Sequence, residues 1–377
     1  MEYPTYSQDR EFLGKHTDLI ELSDTAGAAI LIAPSYQGRV MTSTFNGDTG
    51  NSFGWLNRNF IASEKEDPKF NNYGGEDRFW IGPEAGQYGL WFKPGDLFTL
   101  NDFKTPAGFG SGAFSVNSRF ATQVSLHRDF AVRNYSSVTF DCRVERTIKL
   151  VDQTEVGAAL AIPVPNKLRL VGFESVNRLT NVGSRIWDRS NGLVCIWILG
   201  MFNPLPRGKV IMPFVPGDPA DLGTDVSEYF GAIPSDRLDK KQKYALFTCD
   251  GQMRTKIGVS PKRARNVLGS WDPEGQVLTI ISYNLPNTAA DLPYVNSQWR
   301  IQENPFGGDT INSYNDGVDP VTGILLGPFY ELETSSCGAA LKPNESITHV
   351  HRTFHFTGDF DDLDILSQQV LGAELWN

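Results

Sequence analysis

Short apolar runs recur along the whole chain, with polar punctuation between them. Ala29–Ala33, Val138–Phe140, Leu193–Leu199, Lys209–Phe214, Tyr244–Thr248 and Val277–Tyr283 are rich in Val, Ile and aromatic residues. Clusters of Gly, Pro, Asn and Asp separate them. That texture predicts many short strands, hence an all-β sandwich or barrel. Asn46-Gly47, Asn191-Gly192, Asp250-Gly251 and Asp316-Gly317 tolerate positive φ and are expected to close hairpins. Helices are expected only near the ends. Ser7–His16 reads as a short one. In Asp359–Leu375, Phe360, Leu363, Leu366, Val370 and Leu371 fall near one helical face, with Asp359, Asp361 and Asp362 at the favourable N-terminal end.

Length changes this picture little. A chain of 377 residues suggests two or three domains on size alone. Yet no linker, repeat or low-complexity segment interrupts the texture, and the loop-rich Pro216–Asp225 has the same flanks as everywhere else. One domain over 1–377 is the expectation. Charge excludes partners. The net charge of −10 argues against nucleic acid, which needs a basic stripe, and against a polybasic membrane patch. The basic cluster Lys262, Arg263, Arg265 has no interleaved aromatics and reads as a solvated loop. Aromatics at 12% beside an acidic excess suit neutral polyols such as sugars.

Cys142, Cys195, Cys249 and Cys337 lie far apart without zinc spacing, and read as separate thiols. The N-terminus MEYPTYSQDR lacks a basic and an apolar region, so a cytoplasmic chain is expected, or an exported one if a leader was removed. No run of about 18 apolar residues is present for a membrane helix.

Five segments carry candidate chemistry. In Tyr73–Trp80, two glycines precede Glu76, Asp77, Arg78 and Trp80. Carboxylates and a guanidinium bind hydroxyls, and an aromatic face covers the C–H side of a ring. Asn177–Asn181 reads as a strand ending in a polar turn. In Tyr330–Ser336, strand alternation puts Glu331 and Glu333 on one face, where two carboxylates can divide acid and base roles. Gly307–Gly317 resembles a calcium loop but fails its spacing, so Asn315 and Asp316 read as pocket-lining polar residues. His349, His351 and His355 share a strand face, but 349 to 355 spans about 20 Å, too far for one metal. No P-loop, GxSxG, HExxH or dinucleotide fingerprint occurs, so neither cofactor nor metal is expected.

Taken in order, these segments resemble the galactose mutarotase-like (aldose 1-epimerase) superfamily, over roughly residues 20–358. GGEDRFW resembles the GGxxxW segment of sugar-phosphate mutarotase relatives. NRLTN resembles the LTN strand. Leu332–Thr334 resembles the strand carrying the catalytic glutamate, and Leu341–Ser346 resembles the turn into the last strand. The match points to a bacterial branch apart from the characterised epimerases. The resemblance implies a β-supersandwich of large, mostly antiparallel sheets with short terminal helices, and a sugar held on a concave face. It makes Glu333 the general base. It also exposes a departure: the family's catalytic histidine follows LTN directly, and here that position is Val182. His127, His349, His351 or Asp316 then stand as possible acids, and Arg78 or Arg58 as the family's early arginine.

Three functions follow from these residues. The first is a carbohydrate-binding or carbohydrate-processing protein, with Glu76, Asp77, Arg78, Trp80, Asn181, Asn315, Asp316 and His349 around the sugar. The second is an active mutarotase with a relocated acid. The third is a structural module that binds another protein. The oligomeric state is left open.

Overall fold

The structure is a computed structural model, and it describes residues 4–376. Two large antiparallel sheets dominate it. The larger has ten strands in the spatial order Leu238–Lys240, Tyr244–Thr248, Lys209–Pro213, Val267–Asp272, Val277–Tyr283, Ser346–Thr357, Arg169–Asn181, Thr139–Val151, Gln123–Arg133 and Ser115–Arg119. The second has six, in the order Ser227–Glu228, Thr255–Val259, Ile311–Asn315, Tyr330–Ser335, Cys195–Phe202 and Arg78–Gly82. A three-stranded sheet, Ile20–Ser23, Ala29–Ala33 and Arg39–Thr44, completes the set. The expected all-β architecture of large antiparallel sheets is therefore what the chain forms.

The apolar runs are continuous where both faces of a strand are covered. Val277–Tyr283 is buried at every position. Thr139–Val151 alternates exposed and buried along most of its length, because one of its faces meets solvent. Strand Lys209–Pro213 shows how the layers divide. Val210 and Met212 face Ile257, Ile311 and Leu332 of the six-stranded sheet. Ile211 points the other way, into a cluster with Trp271, Phe354 and Phe356. The C-terminal helix covers that outer side through Leu363, Leu366 and Val370.

The terminal helices run Tyr6–Gly14 and Phe360–Val370. Thr5 and Gln8 form a capping box at the first, which sets its start one residue before the sequence expectation. The second stops earlier than expected, since Gly372 adopts φ 70 just past it. A further helix, Gln153–Leu160, is announced by an Asp152/Glu155 capping box that the sequence reading passed over. Asp316-Gly317 lies, as expected, in the connection between the paired antiparallel strands Ile311–Asn315 and Tyr330–Ser335, but other glycine dipeptides act differently. Gly47, Gly192 and Gly251 do take positive φ, but Asn191-Gly192 and Asp250-Gly251 each join strands of different sheets. They turn the chain between layers, so the connections are crossovers and not hairpins. Among the described residues, no helix is long and apolar enough to cross a membrane.

Candidate functional site

The outer face of the six-stranded sheet is where chemistry collects. Arg78 pairs with Leu199 and Trp80 with Trp197 across one strand boundary. Glu333 pairs with the same Leu199 from the other side. Two inter-strand steps of about 4.8 Å thus separate Arg78 from Glu333 in backbone terms, although 255 positions separate them in sequence. Alternation then turns Arg78, Trp80, Trp197, Leu199, Glu331 and Glu333 outward, while Leu332 enters the core between the sheets. Lys256 and Tyr314 join them from the next two strands.

Loops roof this face with Phe70, Glu84, Phe103, Phe230, Trp299 and Phe329. The result is a recess of about 480 Å³, its open mouth included. Half of its lining is aromatic. Its charges come in pairs. Arg78 Nη2 donates to Glu331 Oε1 at 2.8 Å, and the guanidinium lies 3.9 Å from the Trp80 ring centroid. Lys256 Nζ donates to Glu333 Oε2 at 2.8 Å, and Trp197 Nε1 donates to the same oxygen at 2.9 Å. Arg254 donates to Asp319 while its guanidinium stacks 3.9 Å from the Phe230 centroid. Trp299 Nε1 donates to Glu84 Oε2 at 2.8 Å.

Three of these pairs, and Trp80 beside them, leave polar capacity unused. Arg78 Nε and Nη1, Trp80 Nε1, Arg254 Nε and Glu333 Oε1 are buried without a hydrogen-bond partner among the described residues. Buried polar atoms are nearly always satisfied, so four on the lining of one aromatic-walled recess, with Glu333 Oε1 one layer deeper, form a pattern with a chemical meaning. Burial also shifts the acids here. It pushes Glu331 up to about 8, with Arg78 pulling down and Glu333 pushing further up. Burial likewise raises Glu84 above the usual carboxylate range, against the pull of Lys256. Burial pulls Lys256 down, but Glu333 and Glu84 outweigh it and hold the ammonium on.

The structure brings together Arg78, Trp80 and Glu333. Arg78 and Trp80 line the recess. Glu333, fully buried, sits one layer deeper, beneath Trp197 and Lys256. The other sequence-selected residues lie elsewhere. Glu76 faces the large sheet, accepting from Ser43 Oγ at 2.9 Å and meeting His355 Nε2 at 2.9 Å. Asp77 also turns inward, to Arg146 and Ser175. The cause is local: Gly74 and Gly75 sit at φ 88 and 107, so the chain arrives bent, and regular alternation begins only at Arg78. Asn181 holds the carbonyls of Arg185 and Leu341. Asn315 holds a turn through Met253 O and the Gly251 N–H. Asp316 accepts from the N–H groups of Leu326 and Gly327, shaping a loop at the recess rim. His349 Nε2 meets Thr334 Oγ1 at 2.7 Å, between the sheets. Val182 lies at the end of its strand, 37% exposed, outside the recess.

The site also contains residues that sequence reasoning did not select. Lys256 is a lone cation inside the strand Thr255–Val259, buried at every position, and that is a signal in itself. Trp197, Arg254 and Trp299 carry no comparable local mark.

A family model described as a family of unknown function, DUF6786, matches residues 4–377. The chain belongs to that family. No curated protein matches the sequence. Solved structures do match this DUF6786 chain. A candidate aldose 1-epimerase of Escherichia coli K12 aligns at 11% identity and TM-score 0.53, over 90% of this chain and 98% of its own. The Slr1438 protein of Synechocystis sp. PCC 6803 aligns at 12% identity and TM-score 0.50, over 91% and 96%. A galactose mutarotase-like protein of Lactobacillus casei ATCC 334 aligns at 10% identity and TM-score 0.48, over 90% and 100%. By the first of these alignments the DUF6786 chain has the fold of an aldose 1-epimerase-like protein. At such identities the likeness is one of fold.

Proposed function

We propose that this protein binds a neutral sugar or glycan in the aromatic recess. The Arg78–Glu331 and Lys256–Glu333 pairs are its polar anchors, and Trp80 is one of its stacking faces. The observation that carries this reading is the set of unpaired donors on Arg78, Trp80 and Arg254 lining a single recess, with the unpaired acceptor of Glu333 one layer deeper. A ring with hydroxyls on its edge and C–H groups on its face matches both wall chemistries. The reading treats residues 1–377 as one domain. In support, the six-stranded sheet places Arg78–Gly82 beside Cys195–Phe202, and that strand beside Tyr330–Ser335.

The test is a sugar panel read by saturation-transfer NMR and calorimetry. A ligand bound by wild type and lost in both Glu333→Ala and Arg78→Met supports the site. Binding that survives both substitutions places the sugar elsewhere.

A second reading, anomer exchange, is favoured by one observation. Burial keeps Glu331 protonated near neutral pH, close to the Glu333 carboxylate on the same strand face. A donor and an acceptor side by side are what paired general acid–base catalysis needs. Glu333 then removes the anomeric proton, and Glu331 takes the acid role that Val182 leaves vacant. Anomer exchange followed by NMR on freshly dissolved sugars tests it. Equal rates with wild type and Glu331→Gln sink it.

A further inference from the structure

A second cleft adjoins the recess. It encloses about 990 Å³, open solvent included, and shares Leu100, Phe230, Arg254 and Trp299 with the recess as a common wall. Its remaining lining is polar in a different way. Glu228, Gln298, Arg300 and Thr322 supply donors and acceptors along the rim, and Phe98 and Tyr229 supply ring faces. Counted without open solvent, the outer cleft holds about 470 Å³, inside the ordinary range of small-molecule pockets of about 300–1,000 Å³, whereas the recess holds about 50 Å³ and is the tighter of the two.

The shared wall is built to serve both sides. Arg254 is held by Asp319 at 2.9 Å, with its guanidinium 3.9 Å from the Phe230 centroid and 5.1 Å from that of Trp299. Held there, it presents an unpaired Nε. Trp299 is fixed in turn by Glu84 and stacks on Phe103 at 5.6 Å. A rigid platform of cation and rings thus separates an inner aromatic recess from an outer, wetter cleft. Exposed apolar side chains flank the outer cleft: Leu97 at 80%, Ile301 at 58% and Val321 at 86%. Each follows or precedes a lining residue in sequence. A monosaccharide anchored at Arg78 and Trp80 leaves all of this unused.

We propose that the ligand has at least two linked sugar units, the inner one in the recess and the next in the outer cleft across Arg254 and Trp299. This inference rests on the sugar-binding reading above and deepens it. The inner unit meets the buried acid–base groups. The second meets Gln298, Arg300 and Thr322, with its ring face over the Trp299–Phe230 wall. The preferred substrate class is then a disaccharide, a longer glycan or a glycoside, not a free hexose.

The experiment compares glucose and galactose with maltose, cellobiose and lactose by calorimetry, on wild type and on the rim variants Arg300→Ala, at an exposed position, and Gln298→Ala, at a half-buried one. At least one disaccharide should bind about tenfold more tightly than either of its units, a difference of about 1.4 kcal/mol. The rim variants should remove most of that gain and leave monosaccharide binding within about twofold. Monosaccharides binding as tightly as every disaccharide would overturn the two-unit inference while leaving the recess reading intact. A disaccharide gain that ignores both rim substitutions also overturns it, because the second unit then lies elsewhere. If no sugar of either length binds, the recess reading itself falls, and the inference with it.

Discussion

The two faces of the six-stranded sheet carry similar residues to opposite ends. On the inner face, Asp77 meets Arg146 and Ser175, Glu76 meets Ser43 and His355, and Thr334 Oγ1 lies 2.7 Å from His349 and 2.9 Å from His351. On the outer face, Arg78, Glu331, Glu333 and Lys256 form pairs of the same kind. The residues alternate along the same short segments. Both sets meet ring faces and both leave polar atoms unpaired among the described residues, Glu76 Oε1 and Arg146 Nε and Nη1 on the inner side, but only the outer set borders the recess. Buried charge alone is therefore a poor marker of a site. Charge with unused bonding capacity beside a void is a better one.

The comparison breaks most sharply under substitution of a buried ion. Asp77 and Arg146 are both 0% exposed. Asp77→Ala leaves the guanidinium buried without its carboxylate, and such losses run to about 3–5 kcal/mol. A large drop in the urea midpoint is expected, with ligand affinity in the surviving folded fraction unchanged. If Asp77→Ala is tolerated but abolishes binding, the inner and outer roles are exchanged.

Arg78→Met should do the reverse. Its partner Glu331 already holds its proton near neutral pH, so losing the cation strands less charge. A stability cost of about 1–3 kcal/mol is expected, the range for an orphaned buried polar group. Sugar affinity should fall at least about tenfold. Calorimetry beside denaturant titration separates the two effects.

The faces should also differ in the sign of their pH response. Burial pulls His349 down to about 3, and His351 adds to that; burial pulls His351 down to about 4. Unfolded histidine titrates near 6.5, so between there and the folded values the unfolded chain binds protons that the folded chain refuses. Stability is full above pH 6.5 and falls as pH drops, by up to about 1.4 kcal/mol per pH unit for each group. Glu331 runs the other way. Its folded value of about 8 stands above the unfolded 4.5, so the folded chain is the one that holds the proton. That contribution is full below pH 4.5 and is lost as pH rises toward 8. Urea midpoints measured across pH should flatten on the acid side in His349→Gln and on the alkaline side in Glu331→Gln. A common response of both limbs to either substitution would remove the distinction.

These opposed responses mark what the sequence could and could not disclose. Ala29–Ala33, Tyr244–Thr248 and Val277–Tyr283 have in the fold the bounds their apolar runs suggest, because a covered strand must be apolar along its length. The pairing of Glu331 with Glu333 on one face was legible too, since alternation has period two. What alternation cannot give is which of two covered faces holds a void. Glu76 and Asp77 looked as promising as Arg78 for that reason. A Cβ at Gly74 would lie 2.0 Å from Trp55 O, so glycine is required there, and the bend it permits turns 76 and 77 inward. Arg254 and Trp299 reach the recess through loops that no local pattern encodes, whereas Lys256 carries a local mark as the lone cation of a buried strand.

The smallest expected effect concerns Val182, where the family resemblance puts a catalytic histidine. The Val182 N–H donates to Asp141 O at 3.0 Å, and its neighbour Asn181 ties the strand end to Arg185 O and Leu341 O. The side chain is 37% exposed and borders no part of the recess. A histidine there has no acid–base partner among the recess residues. Val182→His should change stability by no more than about 0.5 kcal/mol, as surface substitutions do. It should leave anomer exchange at the wild-type rate for any sugar the protein binds. If instead the substitution accelerates exchange, then the strand end after LTN, and not the outer face of the six-stranded sheet, holds the sugar, and the contrast between the two faces loses its functional meaning.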